Sequence, residues 1–238
     1  MKRHGNAYKQ RGSFIVESVW LWPVLVMLTL GVIQMGFLYN AKATMNNATF
    51  QAAREGSIKH ADKGAMEKRL AYAMAPLYIK KSKDIVELAS KRVYLQALMS
   101  VPLAKIGKID IISPSKEIYR KFEKTQYYLD NKGRERRIKQ MPNDNLNVRS
   151  ASENFVKMAS GSVKINIQDA NLLKIRGYWC YEMIVPFVNY VIYKTYSALP
   201  GKKNPHWSAC RALSVVNDSY YLPVSSTSVV RMQTPIRW

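Results

Sequence analysis

The residues that could do chemistry are few and far apart: a glutamate beside an apolar run, two cysteines and three histidines. Glu17 directly precedes that run, and an ionisable side chain at the centre of a membrane-spanning helix costs about 2.5–3.5 kcal/mol, so its presence needs a purpose. His4, His60 and His206 are scattered, and the sequence lacks a phosphate-binding glycine loop, a His-Glu-x-x-His pair and a Gly-x-Ser-x-Gly turn. We therefore predict a protein that is not an enzyme and has no catalytic residue, metal or cofactor.

The apolar run itself predicts one transmembrane helix. It extends from Ser18 to Ala41 without a charged residue, which is long enough for a helix to cross a bilayer. Basic residues precede it and no acidic residue occurs before Glu17, so the positive-inside rule predicts a cytoplasmic N-terminus and an exported remainder. Two alternatives stay open: an uncleaved signal anchor, and a secretory signal peptide removed at the small-residue pattern Ala41-Lys42-Ala43.

Three stretches carry a resemblance to a known family. RGSFIVESVWLWPVLVMLTLGVIQMGFLYNA resembles the leader, glutamate and apolar helix of type IV pilin-like proteins, and most closely those of TadE-like minor pseudopilins of tight-adherence (Flp) pili. NNATFQAAREGSIKHA and LPVSSTSVVRMQTP resemble further parts of TadE-like proteins. Major Flp pilins are much shorter and have an aromatic residue after the glutamate, where this chain has Ser18. The resemblance therefore implies a minor subunit.

The resemblance also implies a processing step and a set of partners. A prepilin peptidase would cut after Gly12 on the cytoplasmic face, so that Ser13 becomes the first residue and Glu17 the fifth. The new α-amino group would lie one helical turn from Glu17, on the same face, and could pair with it within one subunit or between neighbours. A glutamate whose carboxylate lies in cytoplasmic water is the alternative. The implied partners are the peptidase, other pilin and pseudopilin subunits, the inner-membrane assembly platform and the lipid bilayer.

We expect an α+β fold of the pilin-like kind, in a single-pass protein of the bacterial inner membrane. A leader (1–12) and a transmembrane helix (13–41) precede an amphipathic helical spine (42–75), whose glycines, Gly56 and Gly64, could break it. The spine packs on a small antiparallel sheet in a periplasmic α+β domain (76–238).

Hydrophobic periodicity and turn residues predict the elements of this domain. Strands at 162–168 and 172–185 are expected to pair, with a bulge at Gly177. The predicted helices cover 84–99, 113–128 and 186–199; the other predicted strands cover 108–113 and 220–232; and 130–150 is predicted to be an exposed loop.

Cys180 and Cys210 are the only cysteines, and both lie in the part predicted to be exported, where oxidation is permitted. We predict a disulfide that closes a loop of about thirty residues and stabilises the fold by up to a few kcal/mol. Two buried free thiols are the alternative. Two cysteines without suitably spaced histidines are weak evidence for zinc.

The strong positive charge leaves a second function open. The net charge is +21, and Arg134, Arg136, Arg137 and Lys139 lie in the predicted loop. Such a patch could bind DNA or another polyanion, and the alternative function is therefore a membrane-anchored module that captures such polymers. Charge runs are more often solvated surface, so nucleic acid is the weaker expectation for a partner.

Overall fold

A single long helix dominates the N-terminal part of the protein. The structure, a computed structural model, describes residues 13–79, 85–101, 105–129, 133–158, 161–200 and 204–238, without the side chains of residues 13–17, 85–87 and 158. Helix α1 extends from Ser13 to Ile58 over 46 residues and contains Pro23. It therefore passes without interruption from the apolar run into the folded domain.

The chain reverses after α1. His60 and Ala61 adopt left-handed backbone conformations with φ of 55° and 61°, and Asp62 then caps helix α2 (Lys63–Met74). Helix α2 returns along α1, so that Met66 lies against Gly56. The helical extension predicted over 42–75 thus consists of two antiparallel segments, and the outward spine ends at Ile58.

The remaining elements alternate between helices and strands. A short 3-10 turn (Ala75–Tyr78) leads to α3 (Ile85–Ser100), which agrees with the predicted second helix. The elements that follow are β1 (Gly107–Ser113), α4 (Lys116–Phe122), β2 (Lys124–Leu129), β3 (Glu135–Gln140), β4 (Asn154–Met158), β5 (Gly161–Ile165), α5 (Ile167–Ala170), β6 (Leu172–Glu182), α6 (Val188–Ala198), α7 (Trp207–Asn217) and β7 (Tyr221–Arg231).

The central sheet is antiparallel, with strand order β1-β6-β7. Gly177 pairs with Ile109 on one side and with Ser226 on the other, in uninterrupted register, so the bulge predicted at Gly177 is wrong. The irregularity lies between Ile111 and Ser113. Helix α1 approaches closely at Gly177: a Cβ atom there would lie 2.7 Å from the Met45 methyl carbon and 2.9 Å from the Thr49 hydroxyl oxygen, so a larger residue would displace these side chains.

Two hairpins separate from the central sheet, β2–β3 and β4–β5, contradict predictions from the sequence. Strands β2 and β3 pair in register, so the third helix ends at Phe122, and part of the predicted 130–150 loop is a strand. The segment 124–129 is rich in β-branched and aromatic residues, which favour a strand once a partner is available. Strand β5 pairs with β4, so the predicted pairing of the 162–168 strand with β6 is also wrong.

The main core lies between α1 and the central sheet. Met45, Ala48 and Ala52 of α1 are buried there with Trp179, which is at the centre of β6. The indole N–H of Trp179 donates to the Tyr78 hydroxyl at 2.8 Å. The predicted α+β class is confirmed, because a long N-terminal helix packs on an antiparallel sheet.

Helix α1 and strand β7 run in the same direction. Ala41 packs near Leu222, Lys42 donates to the Ser225 carbonyl, and the Ser57 carbonyl accepts from the Gln233 N–H at 3.0 Å. The C-terminal part of α1 thus follows β7 along most of the length of the strand.

Candidate assembly helix

The first half of α1 leaves its apolar side chains uncovered. Residues 19–29 are all exposed, including Trp20 and Trp22. Within the described residues, α1 is the helix that is long and apolar enough to span a membrane. A continuous apolar surface of this size is a site for lipid or for another protein, and it fits a single-pass membrane anchor.

Gln34 marks the level at which the folded domain begins to cover α1. It is fully buried, and its side-chain oxygen accepts a hydrogen bond from the Val185 N–H at 3.0 Å. Its amide nitrogen has no hydrogen-bond partner within the described residues. Met35 and Phe37, within the next turn of α1, remain exposed. One face of the apolar run is therefore covered by its own domain and the other is open.

The predicted processing residues lie at the very start of α1. Ser13 is the first residue of the helix, and Glu17 follows one turn later on the same helical face. Gly12, with the rest of 1–12, lies outside the described residues. The cut after Gly12 and the ion pair between the Ser13 amine and Glu17 stay predictions.

A disulfide joins Cys180 of β6 to Cys210 of α7. His206 lies beside it, with a ring nitrogen and both sulfur atoms within 4.8 Å of one another. Cysteine binds metals as the thiolate, so the disulfide leaves only the imidazole as a ligand. With the disulfide formed, these three residues do not make a zinc site.

His206 is the buried titratable side chain of this region. Burial lowers the pKa of its imidazole from the ordinary value of 6.5, and the ring stacks on Tyr178 with centroids 5.9 Å apart. Its Nε2 atom has no hydrogen-bond partner in the described part of the chain. The side chain therefore acts as a neutral packing group at neutral pH.

The basic residues of the predicted polyanion patch lie on and beside strand β3. Arg137 lies over the Tyr127 ring at 5.4 Å, and Lys139 pairs with Glu123 at 3.6 Å. Arg134 and Arg136 also have partners within the protein. The hairpin β2–β3 leads through Met141 to Ile236, near the turn that ends α1. This patch is thus partly paired and lies at the opposite end of the domain from Gln34.

Comparison with known proteins adds one match, to the exposed helix. Residues 12–54 match the family model of TadE-like protein. The N-terminal segment of this chain is TadE-like. The match confirms the resemblance to TadE-like proteins over the first stretch and part of the second, and it includes Gly12, Ser13 and Glu17. The third stretch, LPVSSTSVVRMQTP, lies outside the match. No curated protein and no solved structure matches the chain.

TadE-like proteins are associated with Tad pilus systems, and this chain is similar to them over residues 12–54. It is not a known family of enzymes. The matched segment includes the whole apolar run of α1 and stops four residues before the helix ends at Ile58. The family likeness therefore lies in the helix, and the domain that surrounds its C-terminal half is described by the structure alone.

Two contacts of this region are absent from the sequence predictions. Gln34 is a polar residue within the apolar run, and such a residue in a membrane segment signals a specific partner. Its partner, the Val185 N–H, could not be found from sequence because the two are far apart in the chain. His206 precedes Cys210 by one helical turn, and this spacing was a usable signal for their proximity.

Proposed function

We propose that this chain is a minor pseudopilin that acts in the assembly of a Tad (Flp) adhesive pilus. The TadE-like match over residues 12–54 is the observation that carries the proposal, because it spans the predicted cleavage site, Glu17 and the exposed part of α1. The protein acts by packing with other subunits and performs no chemical reaction.

The proposed sequence of events begins at the cytoplasmic face. A prepilin peptidase removes residues 1–12 and frees the α-amino group of Ser13. Glu17 then has a cationic partner one turn away, in its own subunit or in the neighbour, and a paired charge is far less costly in lipid than a lone one. This pairing fixes the axial position of one subunit against the next.

The apolar face of α1 supplies the contact surface for that packing. Trp20, Trp22 and Met35 are exposed, and in the membrane they face lipid until other pilin and pseudopilin subunits replace it at the assembly platform. The domain beyond Gln34 stays in the periplasm with its disulfide. The membrane helix and the domain move as one unit because α1 belongs to both.

The proposal is tested at the cleavage site. Gly12→Val blocks access to the scissile bond, so we expect the protein from cells that carry the full assembly system to retain its leader, while the unaltered protein begins at Ser13. Intact-mass spectrometry of the native protein measures the difference. Gly5→Val, within the leader but away from the cut, is the matched control and should be processed normally.

Two results of this experiment contradict the proposal. One is an unaltered protein that still begins at Met1 in the presence of the peptidase. The other is a Gly12→Val variant that loses the twelve-residue leader as readily as the Gly5→Val control.

A further inference from the structure

The segment before α6 and the first turn of α6 expose apolar side chains. Phe187 is 72% exposed and Ile184 is 66% exposed. Tyr190 and Val191 follow on the same helical face and are also exposed. The segment 183–200 contains no acidic residue and one basic residue, Lys194. We call the four exposed residues Ile184, Phe187, Tyr190 and Val191 the α6 tip.

The α6 tip lies beside the apolar run of α1. Val185, between two of its residues, donates its N–H to the Gln34 side chain at 3.0 Å. Met183, just before it, packs near Ala41 and Leu38. The tip is therefore held at the level of residues 34–41 of α1, which is the C-terminal third of the membrane-length segment.

This level falls within the thickness of a bilayer. A helix rises 1.5 Å per residue, so Gln34 lies about 24 Å beyond Ser18. The hydrocarbon core is about 30 Å thick. The uncharged run begins at Ser18, directly after Glu17. With the boundary of the core there, Gln34 lies several ångströms short of the far boundary. Lipid that covers the exposed Met35 and Phe37 of α1 then also reaches the α6 tip.

The backbone directs Phe187 outward through an uncommon turn. Phe187 has a φ of 63°, and the Val188 N–H donates to the Pro186 carbonyl at 2.7 Å. This is a γ-turn with positive φ, a strained conformation that persists where the surrounding structure enforces it and that often marks a functional position. This strained turn places the large apolar ring of Phe187 in an exposed position.

We propose that the α6 tip inserts into the outer leaflet of the bilayer next to α1. The inference rests on α1 spanning the membrane, and it goes beyond the proposed role in pilus assembly. Lys194 lies one turn beyond the tip, with its amine 5.5 Å from the centre of the Tyr190 ring. That position suits a headgroup phosphate, and Tyr190 and Tyr220, whose rings meet at 5.8 Å, suit the boundary between lipid and water.

The occupant of this surface is lipid because the surface is continuous with the apolar run. The tip and the exposed residues of α1 between 35 and 39 lie at one depth. Together they form one continuous apolar surface. The protein therefore contacts the membrane at two places: α1 crosses the bilayer, and the α6 tip enters only the outer leaflet.

The test measures depth at single positions of the full chain. Phe187→Cys is labelled with a nitroxide in phosphatidylcholine–phosphatidylglycerol vesicles, and the native cysteines stay in their disulfide. Val148→Cys, at a site that is 87% exposed near the far end of the domain, is the aqueous control, and Val26→Cys, on exposed α1, is the lipid control. Collision rates with oxygen and with a water-soluble nickel chelate are compared by electron paramagnetic resonance.

We expect the oxygen-to-nickel ratio at 187 to shift from the value at 148 toward the value at 26. A ratio at 187 equal to that at 148 overturns the proposal. Shielding of 187 from both reagents, with dipolar broadening that disappears on dilution with unlabelled protein, also overturns it and assigns the surface to a second copy of the chain. An aqueous ratio at 26 contradicts membrane insertion of α1 itself. The test uses no pilus component, so its failure leaves the assembly proposal to the Gly12 experiment.

Discussion

His206 illustrates how burial changes the behaviour of a single side chain. Its imidazole is packed on Tyr178 beside the disulfide, and removal from water disfavours the charged form. In the unfolded chain the same imidazole is free to take up a proton. Protonation therefore favours the unfolded state.

We expect the free energy of unfolding to fall as the pH is lowered below about 6.5. The pKa of His206 is lower in the folded protein than in the unfolded chain, so between these two values the unfolded state binds more protons and stability rises with pH, by at most about 1.4 kcal/mol per pH unit. Urea unfolding of the detergent-solubilised protein between pH 5 and 7.5 measures this dependence.

His206→Phe keeps an aromatic ring against Tyr178 and removes the titrating group, so its stability should vary less over the same pH range. Carboxylates with lowered pKa, such as Asp144, lose their contribution only at more acidic pH and do not disturb the comparison. An unchanged slope in His206→Phe would contradict the assignment of the effect to this imidazole.

At the scale of elements, the turn between α1 and α2 decides the shape of the helical layer. Asp62 accepts hydrogen bonds from the Gly64 N–H at 3.1 Å and from the Ala65 N–H at 3.2 Å. These are two of the N–H groups that a helix leaves unpaired at its start. The cap thus ends the reversal and begins the return helix at a defined residue.

Asp62→Ala should lower the free energy of unfolding by about 1 kcal/mol, because the two N–H groups lose their acceptor. Asp62→Asn retains one of the two acceptor oxygens and should lose less stability than Asp62→Ala. Denaturant unfolding of both variants, followed by circular dichroism, provides the comparison. Equal losses in the two variants would mean that the carboxylate charge matters and the cap does not.

The elements that were predictable from sequence are those with one buried face. Strands β1, β6 and β7 alternate or form apolar runs, and helix α3 carries helical spacing, so local patterns indicated them. The exposed hairpin β2–β3 has no such pattern, since five of the six residues of β2 are exposed. Strand β2 forms because it pairs with β3, and the pattern of the β2 residues alone does not show that pairing.

The chain reversal after α1 and the contacts of α1 also divide into features with a local sequence signal and features without one. His60 and Ala61 adopt positive φ without being glycine, so neither residue type signalled the turn. In the assembly helix, the spacing of Gly12, Ser13 and Glu17 was visible in the sequence because these residues are close in the chain. The contact of Gln34 with Val185 was not visible, because only the fold brings the two residues together.

At the scale of the whole molecule, the two candidate functions use opposite ends. The exposed part of α1 emerges from one end of the domain at Gln34. The basic hairpin β2–β3 lies near the turn after α1. The rise of the helix between Gln34 and Ile58 is about 36 Å. Changes at one end therefore leave the other end intact.

Glu17→Gln should prevent incorporation into the pilus, because the amide cannot form an ion pair with the freed amine of Ser13. Cleavage at Gly12 and membrane insertion should persist, which mass spectrometry and fractionation will establish. The matched change at the other end, Arg137→Ser with Lys139→Ser, should leave incorporation unchanged. The measurement is the amount of this subunit that co-purifies with sheared pili, and normal incorporation of Glu17→Gln would contradict the role assigned to Glu17.

The parallel course of α1 and β7 has a mechanical consequence. A pull along the axis of α1, of the kind that draws a subunit out of a bilayer, acts along the length of the helix–sheet interface and loads it in shear. Contacts from Ala41 to Ser57 then share the force at the same time, instead of opening one after another as in peeling. The domain would follow its anchor during extraction without unfolding.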